Sequence, residues 1–324
     1  MKIIQTILIF LVFFTLNVKI TVAQVEDILG VTLENVDNYT GNTALTRIKN
    51  SLLALPLKAT SRIVFQCKGN NPLIPNPEDY NQIVPNIKQV SQIMGLVLDS
   101  WYWDSNNVKR FDYSTVIQRT QAFITEPSLV SNVDIWEIGN EVNGEWLFNG
   151  NWQEVMRTVN DACILVKNTG KKTALTLYYN TLNCVPDSVY LIYVWTNKFL
   201  TLYPDIINKL DYVFVSYYYD PCETSSPNWH ELFTWLQKKF PRSHLGIGEC
   251  GWVLNNQIEK KLEVINNFYS LQINFPNITG TYVRGNFYWT YQQDCVPNYA
   301  SNPLWLAIYN NALKWKGVYK PESE

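Results

Sequence analysis

Two glutamates stand at the ends of apolar runs, where a carboxylate is hard to desolvate. The first closes Val133-Asp134-Ile135-Trp136-Glu137-Ile138-Gly139-Asn140-Glu141, and the second lies in Leu245-Gly246-Ile247-Gly248-Glu249-Cys250-Gly251-Trp252. Burying a charge without a partner is costly, so a carboxylate at the tip of a packed strand usually has a task. Two of them brought together can divide one reaction. One stays ionised and attacks an electrophilic centre, while the other carries a proton and delivers it to the leaving atom. A solvated carboxylate capping the next turn is the plainer reading of each. The fold that positions them has to decide.

The chain around these motifs alternates short β-rich runs with longer amphipathic stretches. Strands are predicted at 28–33, 61–67, 95–101, 133–141, 173–179, 211–219, 245–249 and 282–290. Helices are predicted at 43–55, 78–93, 114–124, 152–167, 189–210, 228–240, 257–271 and 304–315, with Pro85 breaking or kinking the second and Pro204 interrupting the fifth. Near-continuous apolar strands suit a sheet buried on both faces, and strand–helix alternation implies parallel pairing. Eight such units in about 300 residues fit the α/β class as a single (β/α)8 TIM barrel. The rival, a doubly wound open sheet, lacks its Gly-rich phosphate turn after the first strand. No linker or low-complexity tract marks a second domain, so one catalytic barrel is expected over residues 24–324.

In such a barrel the C-terminal ends of the strands converge on one face. Strand four brings Asn140 and Glu141, strand seven Glu249, strand six Ser216 and Tyr218, and strand eight Trp289. Strand three adds Asp99, Trp101 and Trp103, and strand five adds Tyr178, Tyr179 and Asn180. Plainer roles exist here too. Asn140 could cap a turn, Trp289 could pack in the core, and Tyr217 and Tyr219 leave the register of Tyr218 open.

These motifs in these places resemble the retaining glycoside hydrolases of the large (β/α)8 clan A. Gly139-Asn140-Glu141 is similar to that clan's strand-four signature, which implies Glu141 as acid/base and Asn140 as a contact to the sugar 2-hydroxyl. Gly248-Glu249-Cys250-Gly251-Trp252 is similar to the strand-seven signature, which implies Glu249 as nucleophile. The strand-six segment resembles the one whose Tyr hydrogen-bonds the nucleophile, pointing to Tyr218. Phe287-Tyr288-Trp289-Thr290 resembles the segment whose Trp floors the subsite of the attacked sugar. Trp101 is expected to line a glycone subsite. Retention needs two carboxyls about 5–5.5 Å apart and proceeds by double displacement through a glycosyl-enzyme intermediate. Many clan members support the nucleophile with an Arg near the end of strand two. Here that strand reads as ending Gln66-Cys67-Lys68 with Arg62 near its start, so the supporting role is left unassigned. Glu137 shares strand parity with Glu141 and is expected lower in the barrel, and Glu145 in the following loop is placed within reach of substrate. His230 and His244 read as structural.

The expected activity is therefore hydrolysis of a β-linked glycan with no cofactor and no metal. A transglycosylase using the same site, or a catalytically silent carbohydrate-binding barrel, is the alternative. A formal net charge of −2 without basic or acidic blocks gives no reason to expect nucleic acid. Residues 1–23 read as a signal peptide: Met1-Lys2, an apolar run from Ile3 to Phe14, then Thr21-Val22-Ala23. The run is too short for a membrane span, so a secreted monomer, extracellular or in the lumen of the secretory or lysosomal pathway, is expected. Six cysteines permit disulfides in such a compartment. Cys184 and Cys222 follow neighbouring predicted strands and are the expected pair, while Cys163 reads as a buried free thiol. Asn38 and Asn277 begin acceptor sequons for N-glycosylation.

Overall fold

The computed structural model describes residues 27–34, 36, 42–65, 76–97, 112–219, 222, 226–252, 257–273 and 282–318. Its strands are β1 (Ile28–Leu33), β2 (Ala59–Val64), β3 (Gln92–Leu96), β4 (Ile135–Glu137), β5 (Lys172–Tyr178), β6 (Tyr212–Tyr218), β7 (His244–Gly251) and β8 (Tyr282–Trp289). All neighbours pair in parallel, and β8 returns to β1, closing the barrel in sequence order. This is the (β/α)8 TIM barrel that the alternation predicts.

The helices surround it: α1 (Asn42–Leu53), α2 (Ile83–Lys88), α3 (Tyr113–Thr125), α4 (Pro127–Asn132), α5 (Trp152–Asn168), α6 (Ile192–Leu202), α7 (Trp229–Lys239), α8 (Ile258–Ser270), α9 (Tyr291–Asp294) and α10 (Pro303–Val318). Local sequence starts and stops them. Asn151 caps α5 by accepting from the Glu154 amide at 3.2 Å, and Asn228 caps α7 through the Glu231 amide at 3.3 Å. Gly170, at φ +76°, takes the left-handed turn that ends α5. The inner stripe of α5 buries Val155, Val159, Cys163 and Val166 at helical spacing against the sheet.

Several boundaries differ from the sequence reading. β2 begins at Ala59 rather than at 61, because its polar start is satisfied within the sheet. The Ser91 hydroxyl meets the Ser61 amide, the Ser61 hydroxyl and the Ala59 carbonyl, all within 2.9 Å. β3 begins at Gln92 rather than at 95. The helix predicted over 78–93 is a 3-10 turn (Pro77–Tyr80) followed by α2. Pro85 does not break α2, since it sits in the first turn, where amides lack intrahelical partners anyway. The stretch predicted as helix over 189–210 ends at Leu202, and Pro204 opens a 3-10 turn, Pro204–Asn208.

The barrel interior is apolar at one end and polar at the other. Ile28, Met94, Ile135, Ala174, Phe214 and Phe287 belong to one buried cluster. Two residues farther along their strands, Glu137 follows Ile135, Thr176 follows Ala174, and Ser216 follows Phe214, all fully buried. The polar end is thus the C-terminal end of the strands.

Two irregularities adjust which side chains point into that end. Thr176 donates its amide to the Gly139 carbonyl and accepts at its own carbonyl from the Val142 amide, so Asn140 and Glu141 together face one residue of β5. In β7, Ile247 pairs with Val215 but Glu249 pairs with Ser216, leaving Gly248 as an extra residue. Gly248 has no room for a side chain: a Cβ there would meet Phe214 Cβ and Thr176 Cγ2 and Oγ1 at 2.7 Å. Gly248→Ala should therefore lower the unfolding free energy by about 1–3 kcal/mol through overpacking. Urea denaturation measures it, and an unchanged midpoint would contradict the close approach.

Candidate active site

The polar end of the barrel is organised by Arg62, the fourth residue of β2. Its side chain is fully buried and bridges two other strands. Nε donates to Glu137 Oε2 at 2.6 Å and Nη2 to Glu137 Oε1 at 3.0 Å, a two-point grip on β4. Nη1 reaches Glu249 Oε2 on β7 at 2.6 Å. Burial alone would lower the pKa of the guanidinium, but the charges of Glu137 and then Glu249 outweigh it and hold Arg62 well above its ordinary value. Thr176 Oγ1 donates to Glu137 Oε1 at 2.5 Å, adding β5 to the network. The contact to Glu249 that the sequence left unassigned is thus made by Arg62. Because β2 starts two residues early, Arg62 lies near its end rather than its start.

Among the described residues Glu249 meets three donors. Besides Arg62, Asn140 Nδ2 donates to Oε2 at 3.1 Å, and the Tyr218 hydroxyl donates to Oε1 at 2.6 Å. Burial, then the charges of Glu249 and Glu141, push the Tyr218 phenol well above its usual pKa, so it remains a neutral donor. The Tyr register is settled by the strand's period of two. Phe214, Ser216 and Tyr218 face inward, while Tyr217 packs outward among Tyr179, Trp229 and Phe268.

The strand predicted over 133–141 forms β4 only over Ile135–Glu137, and Glu141 lies at the bulge beyond its end with a left-handed backbone, φ 50°. A non-glycine residue holds that conformation only where its surroundings fix it, and such residues gather at functional sites. The Ser216 hydroxyl donates to Glu141 Oε1 at 2.5 Å. The loop behind is stitched to β5 by Asn143, whose Nδ2 donates to the Tyr178 carbonyl and whose Oδ1 accepts from the Tyr178 amide, at 2.8 and 2.7 Å.

Glu141 and Glu249 line one cleft of about 430 Å³, together with Tyr218, Trp289, Trp146, Tyr178 and Trp252. Trp146 and Tyr178 meet edge to face, with centroids 5.8 Å apart. Trp289 and Trp252 stand on the β7–β8 side. Of the residues singled out in the sequence, Glu141, Glu249, Asn140, Tyr218 and Trp289 are brought together. Trp101 lies outside the described residues, as do Asp99, Trp103, Asn38, Asn277 and residues 1–23. Glu145 does not line the cleft. It is half-buried in its own loop, and burial raises its carboxyl above the usual range. Asn180 is buried and donates to the Tyr190 carbonyl at 3.1 Å. Cys184 and Cys222 form a disulfide joining the loops after β5 and β6, with Cα atoms 5.3 Å apart. Cys163 is a buried free thiol whose pKa burial pushes up to about 12.

The strand ends named from the sequence did not include the cleft residues Glu34, Trp146, Trp252, Lys261, Gln293 and Asp294. Lys261 did carry a signal, since it falls on the buried stripe of α8 with Val264, Ile265 and Phe268. A lysine on the apolar face of a helix needs a partner.

No protein-family model matches the sequence, and no curated protein matches it either. Solved structures do match the fold. The endo-β-1,4-mannanase of Thermotoga petrophila superposes with a TM-score of 0.59 at 12% identity, over 93% of this chain and 79% of that one. The hyperthermostable endo-1,4-β-D-mannanase of Thermotoga petrophila RKU-1 gives 0.55 at 12% identity, over 90% of this chain and 100% of that one. A GH113 β-1,4-mannanase gives 0.52 at 8% identity, over 89% of this chain and 99% of that one. What is shared at these identities is the barrel.

Removing Arg62 alone would leave two carboxylates facing each other across the barrel. Arg62→Met should cost about 3–5 kcal/mol of stability, the range for breaking a buried ion pair, while Arg62→Met with Glu137→Leu should recover much of it. Equal destabilisation of the single and double variants in urea would contradict the pairing.

Proposed function

We propose that this chain is a retaining glycoside hydrolase acting on β-linked glycans, with Glu249 as nucleophile and Glu141 as acid/base. The observation that carries the reading is the difference between the partners of the two glutamates. Glu249 faces a guanidinium, which can only donate, the NH2 end of the Asn140 amide, and a neutral phenol that donates, the surroundings of an ionised carboxylate. Glu141 meets the hydroxyl of Ser216, which can donate to a carboxylate or accept from a carboxylic acid. Ser216 can therefore follow Glu141 as its proton leaves and returns.

The reaction follows from that asymmetry. A sugar lies against Trp289 with its anomeric carbon over Glu249. Glu249 attacks, and Glu141 protonates the departing oxygen. Positive charge grows on the ring as the bond breaks, and the fixed carboxylate of Glu249 stabilises it without reorganising. Glu141, now a base, takes a proton from water, which attacks the same carbon and releases the sugar with its configuration retained. Asn140, which donates to Glu249 through Nδ2, bonds the 2-hydroxyl in this reading as the transition state develops. Aromatic walls flank the pair on the β4–β5 side and the β7–β8 side, which supports a substrate with sugars on both sides of the scissile bond. The barrel is shared with β-1,4-mannanases, so β-1,4-linked hexose polymers are the first substrates to try. Export of the chain is part of the proposal, supported by the Cys184–Cys222 disulfide and the apolar start of the sequence.

Glu249→Ala should abolish turnover of an activated aryl β-glycoside, and added azide should restore it by occupying the vacated space. The product should be a glycosyl azide of inverted, α configuration. Undiminished turnover in the variant, or a β-azide, would sink the assignment.

A further inference from the structure

The cleft that Glu141 lines also holds, on the β7–β8 side, a second pair of charges that the reaction above does not use. Lys261 projects from the buried stripe of α8, and its side chain is only 5% exposed. Its Nζ donates to both oxygens of Asp294, at 2.7 and 2.8 Å. Asp294 ends α9, and its Oδ2 also accepts from the Tyr288 hydroxyl at 2.8 Å. Burial and the neighbouring Asp294 charge hold Tyr288 far above its usual pKa, so that hydroxyl stays a neutral donor. The Asn302 amide grips the Asp294 carbonyl at 2.7 Å. Both charges are therefore fixed in position, and both line the cleft beside Trp289 and Thr290.

A buried ion pair is a weak device for stability, since desolvation offsets most of its attraction. Among the described residues this one is also incompletely used. An ammonium has three donors, and Asp294 takes two. Asp294 Oδ1 accepts one bond, from Lys261, and keeps a lone pair. The pair thus presents one donor and one acceptor side by side, next to an indole face. Adjacent hydroxyls of a sugar ring offer the complementary acceptor and donor.

Its place in the barrel says which sugar. The leaving group departs beside Glu141, on the β4 side, so the β7–β8 side holds the glycone. The charge of the cleft says which class. Among the described lining residues, Glu34, Glu141, Glu249 and Asp294 are acidic and Lys261 is the one base. A uronate or sulfate group would meet an excess of carboxyls there. We infer that Lys261 and Asp294 form a specificity-determining subsite that holds a neutral hexose on the glycone side through its hydroxyls. This rests on the glycosidase reading above and adds the sugar class to it.

The test is a set of aryl β-glycosides of the preferred neutral sugar, each lacking one glycone hydroxyl, assayed with the parent enzyme, Lys261→Gln and Asp294→Asn. On the full sugar each variant should lose about 10- to 100-fold in kcat/KM, the range for a hydrogen bond to a charged group. On the analogue lacking the contacted hydroxyl, parent and variant should be equal. The same loss on every analogue marks a merely structural pair and overturns the inference, as does no loss at all. Should Lys261→Gln fail to fold, Lys261→Arg keeps the ion pair and shifts its donors, and the same pattern is required of it. If the parent turns over no glycoside, the hydrolase reading falls by itself. Calorimetric titration with neutral β-linked oligosaccharides then decides the subsite. Binding weakened in the variants upholds it, and unchanged or absent binding overturns it.

Discussion

The site depends on one buried cation. Arg62 sits inside the barrel with no access to water and spans β2, β4 and β7 through Glu137 and Glu249. A guanidinium taken out of water is tolerated only when its donors are matched in geometry as well as charge. Glu137 matches two of them as a fork, and Thr176 anchors Glu137 in turn. Glu137 is thus the structural partner. Glu249 receives the remaining arm, at the edge of the cleft where a substrate can reach it. Two carboxylates of the same type take different duties because one lies below the guanidinium and the other beside the opening.

The backbone serves the same arrangement. A parallel barrel with unbroken alternation would give β4 and β7 fixed inward positions every two residues. The bulge at Asn140–Glu141 and the extra residue at Gly248 change that spacing next to the cleft. They let Asn140 and Glu141, adjacent in sequence, both serve the site, with Asn140 reaching Glu249 and Glu141 reaching Ser216. The left-handed backbone of Glu141 is the local cost of that arrangement, held in place by β5 and the Asn143 stitch.

Much of this was legible in the sequence, for reasons that differ by residue. The apolar runs into Glu141 and Glu249 stop at a carboxylate, and the eight-unit count places them just past the end of β4 and on β7. Tyr218 could be separated from its neighbours only once Phe214 and Ser216 were known to face inward. Arg62 was misread in height, though not in face. The predicted strand began at Ser61 and so left out Ala59 and Thr60, and a shift of two residues along a strand preserves parity while moving a side chain up the barrel. Trp146 comes from a loop, and Lys261 and Asp294 come from helices. A reading confined to strand ends has no means of placing them.

The central claim is that Glu249, gripped by Arg62, Asn140 and Tyr218, forms a covalent bond to the sugar. A 2-deoxy-2-fluoro β-glycoside with a good leaving group tests this directly. The fluorine destabilises the charged transition states of both steps, and the leaving group restores the first, so the intermediate accumulates. Mass mapping of the inactivated protein should find one sugar on the peptide carrying Glu249 and none on those carrying Glu137 or Glu141. A protein that hydrolyses glycosides with retention yet carries the label elsewhere would contradict the account.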